Sequence, residues 1–278
     1  MWIWDSRTHQ FIVAKALQKC YPPFTNMLKI HQELFILGIQ APDRIFKDFT
    51  NHYYNCTPNK YGYHFGSVLK KINNEIQLLN KMIIHPNTIY HHSGIAPFLV
   101  GILDTPLKAF IFELGVVSHY IADLHQPFHT DGTDRFPDEV TDHQIMEADT
   151  RKHLADFTLE LGRRHRIKDA TAYFTEQIYQ INNHYDTLIE NYYLRKGKVK
   201  PDRWENSYLI IQECMKLATQ NIANIYLSFE KSNKIFKSQI HHAKLIKKVS
   251  NSLDSKSKYY LKKYRSGTVS IRKKRKVD

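Results

Sequence analysis

The chain has 278 residues, 42% of them hydrophobic, with only 10 Gly and 10 Pro, which is enough to bury one sizeable helical core. It carries 40 Lys and Arg against 27 Asp and Glu, a formal net charge of +13. No apolar stretch is long enough to span a bilayer, and the three scattered cysteines form no CxxC pair and are expected to be reduced.

Four runs with apolar residues at three- and four-residue spacing predict amphipathic helices. They are FIVAKAL at 11–17, VLKKINNEIQLLNKMII at 68–84, AFIFELGVVSHYIADL at 109–124 and YLIIQECMKLATQNIANIYLSF at 208–229. Turn signals fall at Pro22-Pro23, Pro58-Asn59, His85-Pro86-Asn87, Gly132 and Lys200-Pro201-Asp202. No alternating segment is long enough to predict a sheet. We therefore expect an all-α multi-helix bundle with its functional site in a crevice between helices.

The segment from His119 to Glu147 is rich in the residue types that bind metals. His119 lies four residues before Asp123, His143 lies four residues before Glu147, and His129 stands between the two pairs. On a helix, this spacing brings both side chains of a pair to one face, where they can close on a single cation. Imidazole nitrogen and carboxylate oxygen suit Zn²⁺ at neutral pH. One such pair is common by chance, but two pairs with a further histidine predict a metal site.

The order and spacing of these residues resemble the zinc-dependent phospholipase C and S1/P1 nuclease superfamily. Its signature is a helix with His and then Asp, followed by a His in a QP-x-H turn, which here is Gln126-Pro127-Phe128-His129. The next helix carries His-x-x-x-Glu in the phospholipase branch and usually ends in Asp in the nuclease branch. His143 and Glu147 are similar to the phospholipase version. The resemblance implies the helical fold of that family, with a metal cluster in an inter-helix crevice.

The N-terminal half is similar to the remaining ligand segments of this family. The resemblance implies that His9, near the start of the first helix, is a ligand. The sequence LGIQAPDRIFKDFTNHYYN at 37–55 resembles a second ligand segment. It would supply Asp43 and His52 as ligands and Phe49 as a substrate contact beside the site.

The resemblance implies two to three zinc ions. Asp43, His52, His119 and Asp123 would hold the first ion, His129, His143 and Glu147 the second, and His9 with a bridging Asp123 the third. In secreted relatives, processing makes a Trp the first residue, and its amine and carbonyl both bind zinc. Trp4 is spaced from His9 as in the nuclease branch, but its nitrogen is an amide unless residues 1–3 are removed. The Met1 amine, Asp5 or a water is the alternative to Trp4 as a ligand.

Three further side chains lie close in sequence to these ligands. His64 competes with His52 for the first ion, but the FTNHYYN context favours His52. Cys56 is expected to be a spectator thiol. His125, between two predicted ligands, is expected to contact one of them from outside the metal shell.

Such a cluster is best suited to phosphodiester hydrolysis. Zinc lowers the pKa of a bound water towards about 7, and neighbouring ions neutralise phosphoryl oxygens and stabilise a departing alkoxide. Asp43 is predicted both to bind metal and to accept the proton of the attacking water. We expect a phospholipase C that releases diacylglycerol and a phosphorylated headgroup. An S1/P1-type single-strand nuclease, or a non-catalytic membrane-associated protein with structural zinc, is the alternative.

Arg44 is the predicted headgroup contact. It follows Asp43 at the position where choline-preferring relatives have an aromatic residue. The resemblance therefore argues against a preference for choline and leaves an anionic headgroup as an open alternative.

The positive charge is concentrated at the C-terminus. Residues 231–278 hold 16 Lys and Arg against Asp254 and Asp278, whereas residues 1–230 are close to neutral. We expect a catalytic domain at 1–230 and a basic helical or flexible tail at 231–278. Such a tail suits peripheral contact with an anionic membrane, and nucleic acid is the less favoured partner. With neither a leader nor a spanning segment recognised, the expected location is cytoplasmic, peripheral to the inner membrane surface.

Overall fold

The structure, a computed structural model, describes residues 6–131, 139–193, 198 and 200–231. Trp4, Gly132 and the predicted tail beyond Lys231 therefore lie outside the described residues. The described part contains ten α-helices. They are α1 (Ser6–Leu17), α2 (Pro22–Ile30), α3 (Gln32–Ala41), α4 (Val68–Ile84), α5 (Pro97–Val100), α6 (Pro106–Leu124), α7 (Glu139–Lys152), α8 (Ala170–Asn182), α9 (Tyr185–Tyr192) and α10 (Arg203–Phe229).

The fold is all-α, as the sequence predicts. The four predicted apolar runs lie in α1, α4, α6 and α10, and α4 has the bounds of its run, 68–84. Among the described residues there is no β-strand. An isolated antiparallel bridge joins Tyr54 and Gly66. None of the helices in this part of the chain is both long and apolar enough to cross a membrane.

Proline marks the start of several helices. Pro22 and Pro23, predicted to form a turn, instead begin α2, and α5 and α6 begin at Pro97 and Pro106. At these first positions the missing N–H is not required by the helix, and the fixed φ angle of proline already suits it. In α6 the side chain of Thr105 also caps the start by accepting a hydrogen bond from the amide of Lys108.

Helix α6 forms the centre of the bundle. Of its nineteen residues only Lys108 is not buried, so the helix is surrounded on all sides by other elements. Helices α1, α3, α4 and α10 pack around it. The hydroxyl groups of Ser118 and Tyr226 form a hydrogen bond of 2.5 Å between α6 and α10. Because α6 also carries His119 and Asp123, two of the predicted metal ligands lie on this buried central helix.

Two glycines allow α3 to lie directly against α6. A Cβ atom added at Gly38 would overlap the carbonyl oxygen of Phe112, and one at Gly115 would overlap the carbonyl oxygen of Phe35. The backbones are thus in contact, with no side chain between them. This crossing fixes the distance between the end of α3, which leads to Asp43, and the part of α6 that carries His119.

A buried carboxylate just after the C-terminal end of α10 contacts two distant segments of the chain. Glu230 accepts a hydrogen bond of 2.8 Å from the backbone amide of Tyr21. It also pairs with both terminal nitrogens of Arg164, at 2.7 and 3.1 Å. A two-pronged arginine–carboxylate pair is among the stronger ionic contacts in proteins. It holds the connection between α1 and α2 against the segment that precedes α8.

The glycine crossing can be tested by adding one methyl group. We expect Gly38→Ala and Gly115→Ala each to lower the free energy of unfolding by about 1–3 kcal/mol, because the two backbones must separate. This net loss remains after the roughly 1 kcal/mol of stability that alanine gains over glycine in a helix. Gly162→Ala is the control, since its nearest contact for a Cβ is 3.8 Å away, at Gln220 Oε1. Equal stability of Gly38→Ala and Gly162→Ala in denaturant titrations would contradict the role of the crossing.

Candidate metal centre

The structure brings eight of the nine predicted ligands together, and Trp4 is outside the described residues. They come from α1, from the segment after α3, from α6, from the turn after α6 and from α7. Their ligand atoms form three groups, within each of which all atoms lie within 4.8 Å of one another. The groups are His9, His119 and Asp123; Asp43, His52 and His119; and His129, His143 and Glu147.

Asp123 belongs to the first group and also contacts His52 of the second, while His119 is common to both groups. Asp123 is completely buried on α6, and its Oδ1 lies 3.0 Å from His9 Nε2. Its Oδ2 lies 2.6 Å from His52 Nδ1 and 3.0 Å from His119 Nε2. Although burial alone would raise the pKa of Asp123, the neighbouring His119 and His129 hold it well below its usual range. Asp123 is thus an ionised carboxylate that faces three imidazole rings, as a bridging ligand requires.

His119 is oriented by the backbone of α3. Its Nδ1 donates a hydrogen bond of 2.8 Å to the carbonyl oxygen of Ile39, so its Nε2 points towards the carboxylates. Burial alone would lower the pKa of His119, but Asp43 and Asp123 hold it well above its usual value. Carboxylates that favour a proton on this ring also favour a metal cation in the proton's place.

Asp43 lies where α3 changes its helical geometry. The helix continues as a wider π-helical turn over Pro42–Phe46, which ends at Lys47 in the left-handed conformation, with φ of 55°. Such turns recur at functional sites because they redirect side chains. Here Asp43 Oδ1 is 3.3 Å from His119 Nε2 and 3.7 Å from His52 Nδ1. This oxygen is buried and makes no hydrogen bond, which suits a metal ligand or a proton acceptor.

The third group combines the turn after α6 with α7. His129 Nδ1 donates 2.9 Å to the carbonyl oxygen of His52, and its Nε2 is buried without a hydrogen-bond partner. His143 Nε2 lies 3.0 Å from Glu147 Oε1, and the amide of Gln126 contacts the same ring nitrogen. Burial lowers the pKa of both His129 and His143 to about 3. Both rings are therefore neutral at pH 7, which is the form that binds a metal.

These donors fit zinc. The site combines imidazole nitrogens with carboxylate oxygens, which is a usual zinc donor set. Two of its atoms, His129 Nε2 and Asp43 Oδ1, are buried acceptors with no hydrogen bond, and such atoms are costly unless a ligand satisfies them.

The neighbouring side chains are placed elsewhere. His64 Nδ1 donates to the carbonyl oxygen of Asn55, and its ring stacks on Tyr54, so it does not compete with His52. Burial raises the pKa of the Cys56 thiol to about 12, and Cys56 belongs to none of the three groups. His125 was expected to contact a predicted ligand, but its ring bonds to the Ile121 carbonyl and the Asn221 amide instead.

The predicted substrate contacts lie on the Asp43 side of the cluster. Arg44 is exposed and its Nη1 donates 3.0 Å to the side chain of Gln40. Phe49 is 42% exposed in the short helical turn Phe49–Asn51 that leads to His52. Both side chains are therefore at the surface of the segment that carries Asp43 and His52.

Comparison with known proteins identifies one family. The family described as zinc dependent phospholipase C matches residues 8–266, a range that includes every predicted ligand except Trp4 and runs into the predicted tail. The structure is similar to that of the alpha toxin from Clostridium absonum, with a TM-score of 0.49 and 14% sequence identity. That alignment covers 89% of this chain and 66% of the toxin chain. The curated proteins include no significant match.

Sequence reasoning missed the carboxylate behind His52. Asp48 Oδ1 lies 3.5 Å from His52 Nε2, the ring nitrogen that points away from the cluster. Asp48 also accepts hydrogen bonds from the hydroxyl of Tyr120, at 2.8 and 3.0 Å, and from the amide of Asn51, at 2.9 Å. Burial alone would raise the pKa of Asp48, but hydrogen bonds from His52, Asn51 and Tyr120 hold it well below its usual range. A carboxylate on the outer nitrogen of a histidine orients the ring and makes it a better ligand.

A buried ionic network supports Asp48. Lys71 Nζ lies 3.5 Å from Asp48 and 2.8 Å from Glu75, and Glu75 is 2.9 Å from His92. Burial and the neighbouring Glu75 raise the pKa of Glu113 well above its usual value. Because these residues lie on α4, on α6 and in the loop before α5, only the folded chain brings them together. The sequence signal was the position of Lys71 and Glu75, four residues apart, on the face of α4 that carries its apolar residues.

Asp48→Asn tests this support. The change keeps the shape of the side chain but removes its charge, so we expect the affinity for Zn²⁺ to fall roughly 10- to 100-fold. Competition with a chelator measures the affinity. Asp104→Asn is the matched control, because Asp104 is also buried but pairs with Lys108 at 2.7 Å. Asp123→Asn should lose more zinc than either variant. Unchanged zinc affinity in Asp48→Asn would remove Asp48 from the site.

Proposed function

We propose that this chain, which belongs to the zinc-dependent phospholipase C family, hydrolyses phospholipids to diacylglycerol and a phosphorylated headgroup. The observation that carries the proposal is the buried carboxylate Asp123 with three contiguous groups of histidine and carboxylate donors around it. A structural zinc site needs four ligands. Eight donor residues in adjoining groups exceed that need and favour catalysis.

We assign the metal ions to these residues as follows. Asp43, His52, His119 and Asp123 would hold one ion, His129, His143 and Glu147 a second, and His9 with Asp123 a third. When bound, zinc would supply Lewis acidity that activates water and neutralises charge on the phosphoryl oxygens. Contacts from this chain hold the ligands in place: the Ile39 carbonyl fixes the His119 ring, and the His52 carbonyl fixes the His129 ring.

Asp43 is the proposed proton acceptor. Water attacks phosphorus, the bond from phosphorus to the glycerol oxygen breaks, and that oxygen takes up a proton to complete diacylglycerol. The proton leaves the attacking water for Asp43 Oδ1, which makes no hydrogen bond of its own. The position of Asp43 in the π-helical turn after α3, rather than on the central helix, gives it access to the edge of the site.

Arg44 and Phe49 are the proposed substrate contacts. Arg44 lies beside Asp43 and carries a fixed positive charge, so it would favour an anionic headgroup. Phe49 presents an exposed ring next to His52, where it would contact the glycerol backbone or an acyl chain.

We place the enzyme in the cytoplasm, at the inner membrane surface. The three cysteines, Cys20, Cys56 and Cys214, are free and buried, which supports a reducing compartment. In this proposal residues 1–230 form the catalytic domain. Residues 231–278, with their 16 Lys and Arg, contact anionic lipid.

The activity is tested with a short-chain, soluble phosphatidylglycerol and the variant Asp43→Asn. We expect the parent to release diacylglycerol and the variant to lose roughly 100-fold or more in kcat, as is typical for removal of a general base. Zinc should remain at the group formed by His129, His143 and Glu147, because Asp43 is not a member of that group. Elemental analysis and turnover on the same preparations separate the two effects.

Three outcomes would contradict this proposal. An unaltered kcat in Asp43→Asn would remove Asp43 from the mechanism. Release of nucleotides from single-stranded DNA, without release of diacylglycerol, would favour the nuclease alternative. Bound zinc with neither activity would favour a structural role for the metal.

The basic tail is tested by removing charge without shortening the chain. Replacing Arg272-Lys273-Lys274-Arg275-Lys276 with glutamines should weaken binding to vesicles that contain phosphatidylglycerol. Each basic residue near such a surface contributes about 1 kcal/mol, and salt screens the attraction. Co-sedimentation at low and high salt measures this effect, and hydrolysis of the soluble substrate serves as the control. Equal binding by the two proteins at low salt would show that these five charges do not contact the membrane.

A further inference from the structure

An exposed aromatic loop lies next to the metal centre. We define the aromatic loop as residues 57–66, in the connection between His52 and α4. Tyr61, Tyr63 and Phe65 are 71%, 69% and 55% exposed. Single exposed apolar residues are common on protein surfaces, but three large rings within five residues form a concentrated patch. Such a patch marks a surface that another molecule covers.

The loop is held in a defined conformation. The side-chain oxygen of Asn59 accepts hydrogen bonds from the backbone amides of Tyr61 and Tyr63, at 2.9 and 3.0 Å. The amide of Asn59 donates 2.9 Å to the carbonyl oxygen of Tyr63, and Gly62 turns the chain with φ of 81°. The exposed rings are therefore presented by an ordered turn and do not result from a lack of local structure.

Backbone hydrogen bonds join the loop to a predicted metal ligand. On one side, Tyr54 bridges Gly66, and the amide of Asn55 donates 2.8 Å to the carbonyl oxygen of Phe65. On the other side, the amide of Tyr54 donates 3.0 Å to the carbonyl oxygen of His129. The amide of Cys56 donates 2.8 Å to the carbonyl oxygen of Thr130. The short segment 53–56 thus lies between the aromatic loop and the turn that carries His129, and it is hydrogen-bonded to both.

The chemistry of the loop suits the surface of a bilayer. Tyrosine combines an apolar ring with a polar hydroxyl group, and it is enriched where hydrocarbon meets headgroups. The ammonium group of Lys60 lies 5.0 Å from the centre of the Tyr61 ring. A lysine in this position can follow the ring into the interface and still reach a lipid phosphate. Both the apolar and the charged parts of the loop therefore match a phospholipid surface.

We propose that the aromatic loop inserts into the headgroup region of a phospholipid bilayer and places the metal centre over its substrate. This inference rests on the proposed phospholipase activity. It assigns the loop a contact that differs from that of the basic tail. Burial of aromatic rings contributes a hydrophobic binding energy that does not depend on lipid charge. The tail, in contrast, binds through charges that salt screens.

The test uses the full chain and vesicles of phosphatidylcholine alone, at high salt, so that the tail contributes little. The loop variant combines Tyr61→Ser, Tyr63→Ser and Phe65→Ser. It should bind at least tenfold more weakly than the parent. Loss of roughly 60 Å² of buried apolar surface, at about 25 cal/mol per Å², already corresponds to a factor of about ten. The control combines Ile30→Ser and Leu209→Ser, which are 79% and 70% exposed on α2 and α10. It should bind like the parent.

A spectroscopic variant reports on insertion directly. In Tyr63→Trp, addition of the same vesicles should shift the indole emission to shorter wavelength, and brominated lipid should quench it. If vesicles shift the emission of Tyr63→Trp no more than they shift the emission of the parent, insertion is overturned. Equal vesicle binding by the loop variant and the parent, or failure of the parent to bind these vesicles, would also overturn it.

The remaining outcomes distinguish a lipid surface from other partners. They also distinguish failure of the loop assignment from failure of the proposed enzymatic activity. A parent that self-associates through the loop, or binds single-stranded DNA through it, without loop-dependent vesicle binding would overturn the lipid assignment. Hydrolysis of the soluble substrate is measured for all proteins. If loop-dependent binding occurs without any lipid hydrolysis, the proposed activity fails and the loop assignment stands. If hydrolysis occurs without loop-dependent binding, only the loop assignment fails.

Discussion

The structure is organised around a carboxylate that has no access to water. Asp123 is fully buried on α6, and an isolated ionised carboxylate in such a place is very costly. Three imidazole rings, those of His9, His52 and His119, surround its two oxygens. These rings offset the cost where they donate hydrogen bonds to the carboxylate or share a metal ion with it. The stability of this part of the bundle is thus linked to the cation in the crevice.

The ligands are oriented mainly by groups that are not ligands. The carbonyl oxygen of Ile39 on α3 fixes the ring of His119, and the glycine crossing of α3 and α6 sets the distance between them. The carbonyl oxygen of His52 fixes His129, while Asp48 approaches His52 from behind. The rings of His119 and His129 therefore each have one nitrogen bonded to a backbone carbonyl and the other directed at the cluster. Rings held in this way change little in orientation when a metal binds, which lowers the entropic cost of forming the site.

The sequence predicted those parts of the fold and site that depend on local spacing. The all-α class and the bounds of α4 followed from apolar periodicity. The four-residue spacing correctly placed His119 with Asp123, and His143 with Glu147, on single helix faces. The N-terminal residues of the cluster, such as Asp43, could be proposed only through a family resemblance, because no local pattern links them to α6.

What the sequence did not predict depends on packing between distant segments. The short helices α2, α5 and α9 carry too few turns for a clear apolar period. Asp48 and His92 have ordinary sequence neighbours, yet Asp48 is partly buried and His92 is fully buried beside Glu75. Their roles follow from which helices pack together, and that information is not local. The exposure of the rings in the aromatic loop likewise follows from the fold and not from local spacing.

Exposure differs among the ligands of the cluster. Six of the eight described predicted ligands are at most 4% exposed, whereas Asp43 and Glu147 are 7% and 8% exposed. The donors are thus most accessible at the edges formed by these two carboxylates. Arg44 and Phe49, both exposed, follow Asp43 in the same connecting segment, so a charge and an apolar ring stand at the surface there. Because Asp43 is also the proposed proton acceptor, the route of the substrate and the exit of the proton would meet at one residue.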